Sequence, residues 1–254
     1  MEFSGKEKWD GRYVVTECKR ALSPSGSPGA DYSLNPYGGC EHGCLYCYAQ
    51  ELTHIPWEDW RVVKVKSNIV NRLDKELPNA DGVICIGTVT DPYQKAESRF
   101  ELTRQCLTRL CANKRRIHID TKSDLILRDL DLLKNADGDF SLTITTLDDR
   151  ISKMTEPGAP LPEKRLDAMR EMVSEGLRTY ALIGPVTNAL EGKEAELVEA
   201  VASTGVKRIY LDKFRERPLL KQRMTRIGIG GSPAALERIR AEGRGKGLEV
   251  LNVF

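Results

Sequence analysis

The chain has 254 residues, 40% of them hydrophobic and 30% charged, with a formal net charge of +2. That length suits one large domain or two small ones, and the composition excludes a disordered or fibrous protein. No apolar run reaches the length of a membrane span, and Met1 to Gly11 is polar without the apolar core of a secretory leader. Seven cysteines is an odd number, and three of them cluster, which argues for a reducing cytoplasm and against a disulfide scaffold.

Residues 1–30 read as an N-terminal arm. Trp9, Tyr13, Val14 and Val15 precede a Ser/Pro/Gly segment, Ser23 to Gly29, that cannot hold regular structure. Cys18 in this arm is expected to be an ordinary thiol. From Asp31 onward, short strands alternate with longer helical stretches. Strands are predicted at 32–36, 83–87, 116–120, 140–145, 178–183 and 206–211. Helices are predicted at 60–77, from Ile69, Val70, Leu73 and Leu77, and at 97–111, from Leu102, Cys106, Leu107 and Leu110. Further helices follow at 124–133, 162–175, 191–202 and 233–241.

Strands alternating with helices of this length argue for βαβ units, a parallel sheet and right-handed crossovers. The expected fold is therefore α/β: a partial (β/α)6 TIM-like barrel spanning 31–212, with an open doubly wound sheet as the structural alternative. Residues 213–254 are expected to form a basic C-terminal extension packed on this core. From Lys207 to Phe254 stand twelve Lys/Arg against five acids, a net +7, so the remainder carries −5. Such asymmetry fits a surface facing nucleic acid. A solvated face with scattered ion pairs fits better, because no stacking aromatics are interleaved there.

The densest chemistry lies in Cys40-x3-Cys44-x2-Cys47. Three cysteines cannot close a tetrahedral zinc site alone; a zinc knuckle would need His42 or His54 as a fourth ligand. Three thiolates do suffice to hold three irons of a [4Fe–4S] cube and leave the fourth iron open. Gly38, Gly39 and Gly43 let the backbone wrap closely round such a group. In a parallel barrel the site lies at the C-terminal strand ends. Those ends carry Thr88 and Thr90, Lys122, and Thr143 with Thr145, the last two pointing to one face of their strand. Glu156 and Arg165 flank the loop after the fourth strand, as a substrate-holding pair or a structural ion pair. Cys85 is expected to pack within its strand as a small hydrophobe. Cys106 and Cys111 are expected to be buried thiols, and His54 and His118 have no partners visible in the sequence.

The cysteine spacing, with Tyr46 just before the third cysteine, resembles the radical S-adenosylmethionine (SAM) superfamily. The run 35–49 (NPYGGCEHGCLYCYA), then Thr90 to Gln94, Thr121 to Ser123 and Leu127 to Leu130, is similar to its spore photoproduct lyase-related branch over roughly residues 15–220. The resemblance implies that Cys40, Cys44 and Cys47 hold a [4Fe–4S] cluster whose open iron binds SAM. It implies reductive cleavage to a 5′-deoxyadenosyl radical that takes hydrogen from a substrate, with the electron coming from a reductant such as a ferredoxin or flavodoxin. The roles of SAM contacts fall on Tyr46, Thr88, Thr90, Lys122, Thr143 and Thr145. The implied substrate is DNA or RNA, with a peptide or small metabolite as the alternative. A non-catalytic zinc or iron–sulfur module is the rival from another class. One departure stands out. Photoproduct lyases keep a hydrogen-donating cysteine three residues before the aspartate after the second strand, and here that place holds Thr88.

Overall fold

The fold is described from a computed structural model covering residues 8–9 and 11–253. The rest of the expected arm, residues 1–7 and Asp10, lies outside the described residues. In chain order the strands before the first long helix are β1 (Lys8–Trp9), β2 (Tyr13–Thr16), β3 (Leu22–Pro24), β4 (Tyr32–Leu34), β5 (Tyr37–Gly38) and β6 (Val63–Lys66). They are followed by β7 (Ile84–Ile86), β8 (Ile117–Thr121), β9 (Gly138–Ile144), β10 (Thr179–Val186), β11 (Arg208–Lys213) and β12 (Glu249–Asn252). The helices are α1 (Ala49–Thr53), α2 (Ile69–Glu76), α3 (Glu97–Phe100), α4 (Leu102–Ala112) and α5 (Leu130–Leu133). Then come α6 (Asp149–Thr155), α7 (Pro162–Ser174), α8 (Glu194–Ala202), α9 (Pro218–Thr225) and α10 (Pro233–Gly245).

Eight strands form one sheet in the order β12-β11-β10-β9-β8-β7-β4-β3. From β4 to β12 every pairing is parallel; β3 runs antiparallel to β4 at the edge. Each strand lies beside the next parallel one in the chain, so the crossovers all turn one way and curl the sheet. Its two ends, β12 and β3, are not neighbours in the sheet, and the barrel stays open. All six expected strands are present. The seventh parallel strand, β12, comes from the basic C-terminal region, where the sequence shows too short an apolar run to announce it.

Alternation sorts the strand residues between two faces. Ile84, Ile86, Ile117, Ile119, Phe140 and Leu142 point outward and are at most 1% exposed. They share one core with Leu73 of α2, Leu107 of α4, Met169 of α7, Val198 of α8 and Ile239 of α10. The opposite face, toward the lumen, carries Cys85, His118, Asp120 and Tyr180 instead.

Five expectations are corrected. Ser23 and Pro24 lie in β3, within the segment expected to hold no regular structure, and the helix predicted at 124–133 is a tighter 3-10 helix over Asp124–Asp129 followed by the short α5. The stretch 60–77 is not one helix: Val63 and Val65 are fully buried while Lys64 is exposed, a period of two, and this segment pairs with β2 and β5 in a small second sheet. The helix predicted at 97–111 breaks at Glu101, whose φ of 51° separates α3 from α4. Cys85 does not pack in the apolar core; it is buried on the lumen side with its thiol toward Asp120. Cys106 does lie in the core, and the half-buried Cys111 thiol faces the Leu132 carbonyl at 3.7 Å.

Ile119 is fully buried on β8 between two paired strands. Ile119→Ala is expected to destabilise the fold by about 2–5 kcal/mol, through lost burial and the cavity left behind. The check is the shift in the denaturant unfolding midpoint.

Candidate active site

The cysteine loop leaves β5 through Gly39, at φ +76°, where a Cβ would stand 2.4 Å from the Val62 carbonyl oxygen. Only glycine lets the chain press that closely on the neighbouring turn. Cys40 N–H then donates to the Trp60 carbonyl at 2.8 Å, and two tight turns follow: Gly43 N–H to the Cys40 carbonyl and Cys47 N–H to the Cys44 carbonyl. All three cysteines line one cavity of about 630 Å³ that runs along the lumen, from Arg116, Asp139 and Arg208 at the strand starts to Thr88, Lys122 and Lys213 at the strand ends.

The loop has no regular structure of its own, so its backbone groups need partners from elsewhere. The fully buried Gln94 accepts from Glu41 N–H at 2.9 Å and donates to the Gly39 carbonyl at 3.2 Å. From the far side of the sheet, the Thr155 carbonyl accepts Leu45 N–H at 2.8 Å, and Gly158 N–H donates to the His42 carbonyl at 2.9 Å. From α9, Arg223 donates to the Leu45 and Cys47 carbonyls at 3.0 and 2.9 Å, with its guanidinium 4.0 Å from the Trp57 ring centre. Nothing local announces this last clamp, since Leu45 and Arg223 lie 178 residues apart.

The strand ends are tied to one another as well. The Asn35 side chain accepts from Val89 and Thr90 N–H and donates to the Thr88 hydroxyl at 3.1 Å. Asp91 accepts from the Thr121 hydroxyl at 2.7 Å, from Lys122 N–H at 2.8 Å and from Tyr93 N–H at 2.9 Å, and faces His42 Nδ1 at 3.4 Å. The Thr90 hydroxyl donates to the Tyr37 carbonyl at 3.2 Å.

Of the expected site residues, Tyr46, Thr88, Thr90, Lys122 and Thr143 line the same cavity as the thiols. Thr145 turns its hydroxyl onto Glu156 at 2.9 Å. The Lys122 ammonium stands 5.6 Å from the Tyr46 ring centre. Burial opposes its charge, but the Cys44 sulfur and the Glu156 carboxylate beside it hold the pKa above the ordinary lysine value.

Glu156 and Arg165 are both buried and paired through Glu156 Oε2. Glu156 Oε1 also accepts from the Tyr46 hydroxyl, and Arg165 donates to the Pro160 and Thr143 carbonyls at 2.8 and 3.1 Å. Every polar atom of the pair thus has a protein partner, as in a structural ion pair. Burial pushes the Glu156 carboxyl upward, and Arg165 and Lys122 more than reverse this, so it lies below its usual range.

The donor chemistry fits an iron–sulfur cluster. Burial raises the pKa of all three thiols, that of Cys44 to about 12, so a triple thiolate here requires a strongly cationic centre among the sulfurs. One tetrahedral zinc would need donors roughly 3.8 Å apart. Among the described residues, the donor set lying within 4.8 Å of one another is Cys85, His118 and Asp120, not the cysteine trio. Neither His42 nor His54 belongs to a close donor set with the cysteines among the described residues, so neither completes a zinc knuckle.

Comparison with known proteins places this geometry. A family model described as the radical SAM superfamily matches residues 34–191, more than half of the chain. An uncharacterised protein of Methanocaldococcus jannaschii is 35% identical over 178 residues, covering 68% of this chain and 67% of its own length. An uncharacterised Mycobacterium tuberculosis protein is 30% identical over 210 residues, covering 74% of this chain and 62% of its own length. The chain belongs to the radical SAM superfamily, whose members are enzymes that bind a [4Fe–4S] cluster and SAM and draw on a reductant. Among solved structures, a spore photoproduct lyase variant with bound AdoMet and dinucleoside spore photoproduct aligns over 100% of this chain and 87% of its own. Its TM-score is 0.72 at 17% identity, a likeness of fold. Among the described residues, no helix is long and apolar enough to cross a membrane.

Arg165→Ala would strand the Glu156 carboxylate in the interior and free the loop face at Tyr46. The expected loss is about 3–5 kcal/mol of stability. Equilibrium unfolding of the metal-free protein measures it without reference to cluster content.

Proposed function

We propose that this chain is a radical SAM enzyme of the photoproduct-lyase-like group acting on a nucleic acid, with Cys40, Cys44 and Cys47 as the cluster ligands. The convergence of these three thiols, Lys122 and the threonines of the second and fourth strand ends on one cavity carries this reading. When bound, the cluster supplies the electron that cleaves SAM to methionine and a 5′-deoxyadenosyl radical for hydrogen abstraction. The protein's part is to bind, orient and exclude water. Lys122 offers a point charge to the carboxylate of SAM. Thr88 and Thr143 line the wall, and Thr90 lines it with its hydroxyl turned to the Tyr37 carbonyl. Tyr46 presents its ring there while Glu156, steadied by Thr145, anchors its hydroxyl. A ferredoxin or flavodoxin of the cytoplasm is the proposed electron donor.

Support for a nucleic-acid substrate comes from the rim. Lys213 and Arg215, the latter paired with Asp212 at 3.2 Å, line the cavity, and the Arg217 guanidinium stands 5.6 Å from the Tyr48 ring centre. Cations beside an aromatic ring suit phosphate and base together. The spore photoproduct lyase of like fold was solved with a dinucleoside photoproduct. The place of its hydrogen-donating cysteine holds Thr88 here, so the proposal covers the class of substrate and not the splitting of thymine dimers.

Anaerobically reconstituted protein, reduced with dithionite, is expected to convert SAM to methionine and 5′-deoxyadenosine. Lys122→Ala is expected to weaken SAM binding about tenfold or more, the size of one charge-assisted hydrogen bond, with iron content unchanged. A protein that holds a full cube yet cleaves no SAM overturns the reading.

Binding to a short DNA or RNA strand is expected to fall linearly in log–log with salt. Lys213→Ala and Arg217→Ala are each expected to lower that slope by about one. Absence of binding at low salt removes the nucleic-acid assignment while leaving SAM cleavage standing.

A further inference from the structure

A second group of donors lies in the same cavity, on the strands rather than on the cysteine loop. Cys85 and His118 are Cα partners across the parallel pair β7–β8. Asp120 lies two residues beyond His118 and so points to the same face. Ser141 is the partner of Asp120 on β9, and Tyr180 the partner of Ser141 on β10. The sheet register thus sets five polar side chains side by side across four adjacent strands of the lumen wall.

Three of them converge on one point. A sulfur of Cys85, a ring nitrogen of His118 and a carboxylate oxygen of Asp120 all lie within 4.8 Å of one another. Cys85 Sγ is 4.0 Å from Asp120 Oδ2, and His118 Nε2 is 3.1 Å from Asp120 Oδ1. Metal–ligand bonds of about 2.3 Å to sulfur and 2.0–2.1 Å to nitrogen and oxygen put adjacent ligands of a tetrahedral ion roughly 3.3–3.7 Å apart. Both observed separations lie within about half an ångström of that range, the sulfur facing Oδ2 of the carboxylate and the imidazole facing Oδ1.

The chemistry of the set agrees with its spacing. One thiolate, one carboxylate and one neutral imidazole balance a divalent ion, and sulfur, nitrogen and oxygen together suit zinc. The carboxylate is held through one oxygen: the hydroxyls of Ser141 and Tyr180 both donate to Asp120 Oδ1, the latter at 3.2 Å, which leaves Oδ2, on the Cys85 side, to an ion. Such outer partners orient a ligating carboxylate. The Tyr180 hydroxyl also meets the His118 ring. The side chains of His118 and Asp120 are 28% and 32% exposed, so the cavity gives an ion a way in.

We propose that Cys85, His118 and Asp120 form a second metal site, for one zinc-like divalent cation, in the lumen of the partial barrel. Three protein ligands leave a fourth position open toward the cavity, for water or an oxygen of the substrate. This site stands whether or not the cysteine trio holds a cluster, since the two use different ligands.

The test uses the reconstituted protein incubated with one equivalent of zinc and passed through a desalting column. Metal analysis is expected to find one zinc per chain in addition to the iron. X-ray absorption at the zinc edge is expected to show one sulfur near 2.3 Å with nitrogen and oxygen ligands near 2.0–2.1 Å. Cys85→Ser and His118→Ala should each weaken zinc binding about a hundredfold or more, and Ser141→Ala about tenfold, with iron content unchanged. Loss of all zinc on desalting overturns the proposal, as does equal retention by the two ligand variants. A zinc shell of three sulfurs also overturns it, because the ion would then sit on the cysteine trio. If Cys85→Ser fails to fold, the absorption spectrum of the unaltered protein decides alone.

Discussion

The structure depends on one constraint: a short irregular loop must hold three thiols facing one buried cavity. An irregular backbone brings unpaired amides and carbonyls into the interior, and each of those needs a partner. The partners come from three directions. Gln94 reaches in from the second strand end, residues 155–158 from the fourth, and Arg223 from α9 in the basic C-terminal region. The loop is therefore shaped by its surroundings more than by its own sequence. The buried Glu156–Arg165 pair belongs to that support, because it joins Tyr46 of the loop to the fourth strand and the start of α7. Removing one charge of such a pair costs far more than the net worth of the pair, so it fixes position more than it adds stability.

The second organising fact is the difference between the two faces of the curved sheet. A closed eight-stranded barrel fills its interior with layered aliphatic side chains. This open sheet places isoleucine, leucine and phenylalanine outward against the helices and keeps polar side chains inside. Stability resides in the outer layer, and the inner wall is free to carry chemistry. That division explains why the lumen can hold Cys85, His118, Asp120 and Tyr180 without disturbing the hydrophobic core. Each of them is separated along its strand by residues that already anchor it.

How much of this is legible in the sequence follows from the range of the interactions. The thiols stand within eight residues of one another, so their common role shows in the spacing alone. Lys122 and the threonines follow from the strand–helix alternation, because strand ends locate the site in a parallel barrel. The stretch 60–77 misleads because the helical pattern of Ile69, Leu73 and Leu77 overruns a four-residue strand whose period of two has only Val63 and Val65 to show it. Cys85 sits in a strand of three residues, all buried, and so short a run holds no alternation to separate lumen from core. His118 and Asp120 share a face by simple period, but Tyr180 lies 62 residues from His118, and only the strand order brings them together.

The basic C-terminal region shows the same point in its charges. Its composition cannot tell a nucleic-acid surface from a solvated face, and the structure divides the region between several roles. Arg208, Lys221, Arg238, Arg240 and Lys246 form ion pairs with nearby glutamates, mostly exposed and of little energetic weight. Arg223 is spent on the carbonyls of the cysteine loop. Lys213 and Arg215 line the cavity. The excess of charge over the region therefore counts for less than where a few of its residues stand. A guanidinium that holds the backbone of the thiol loop, with cations of the same region along the cavity, ties the end of the chain to the site formed near its beginning.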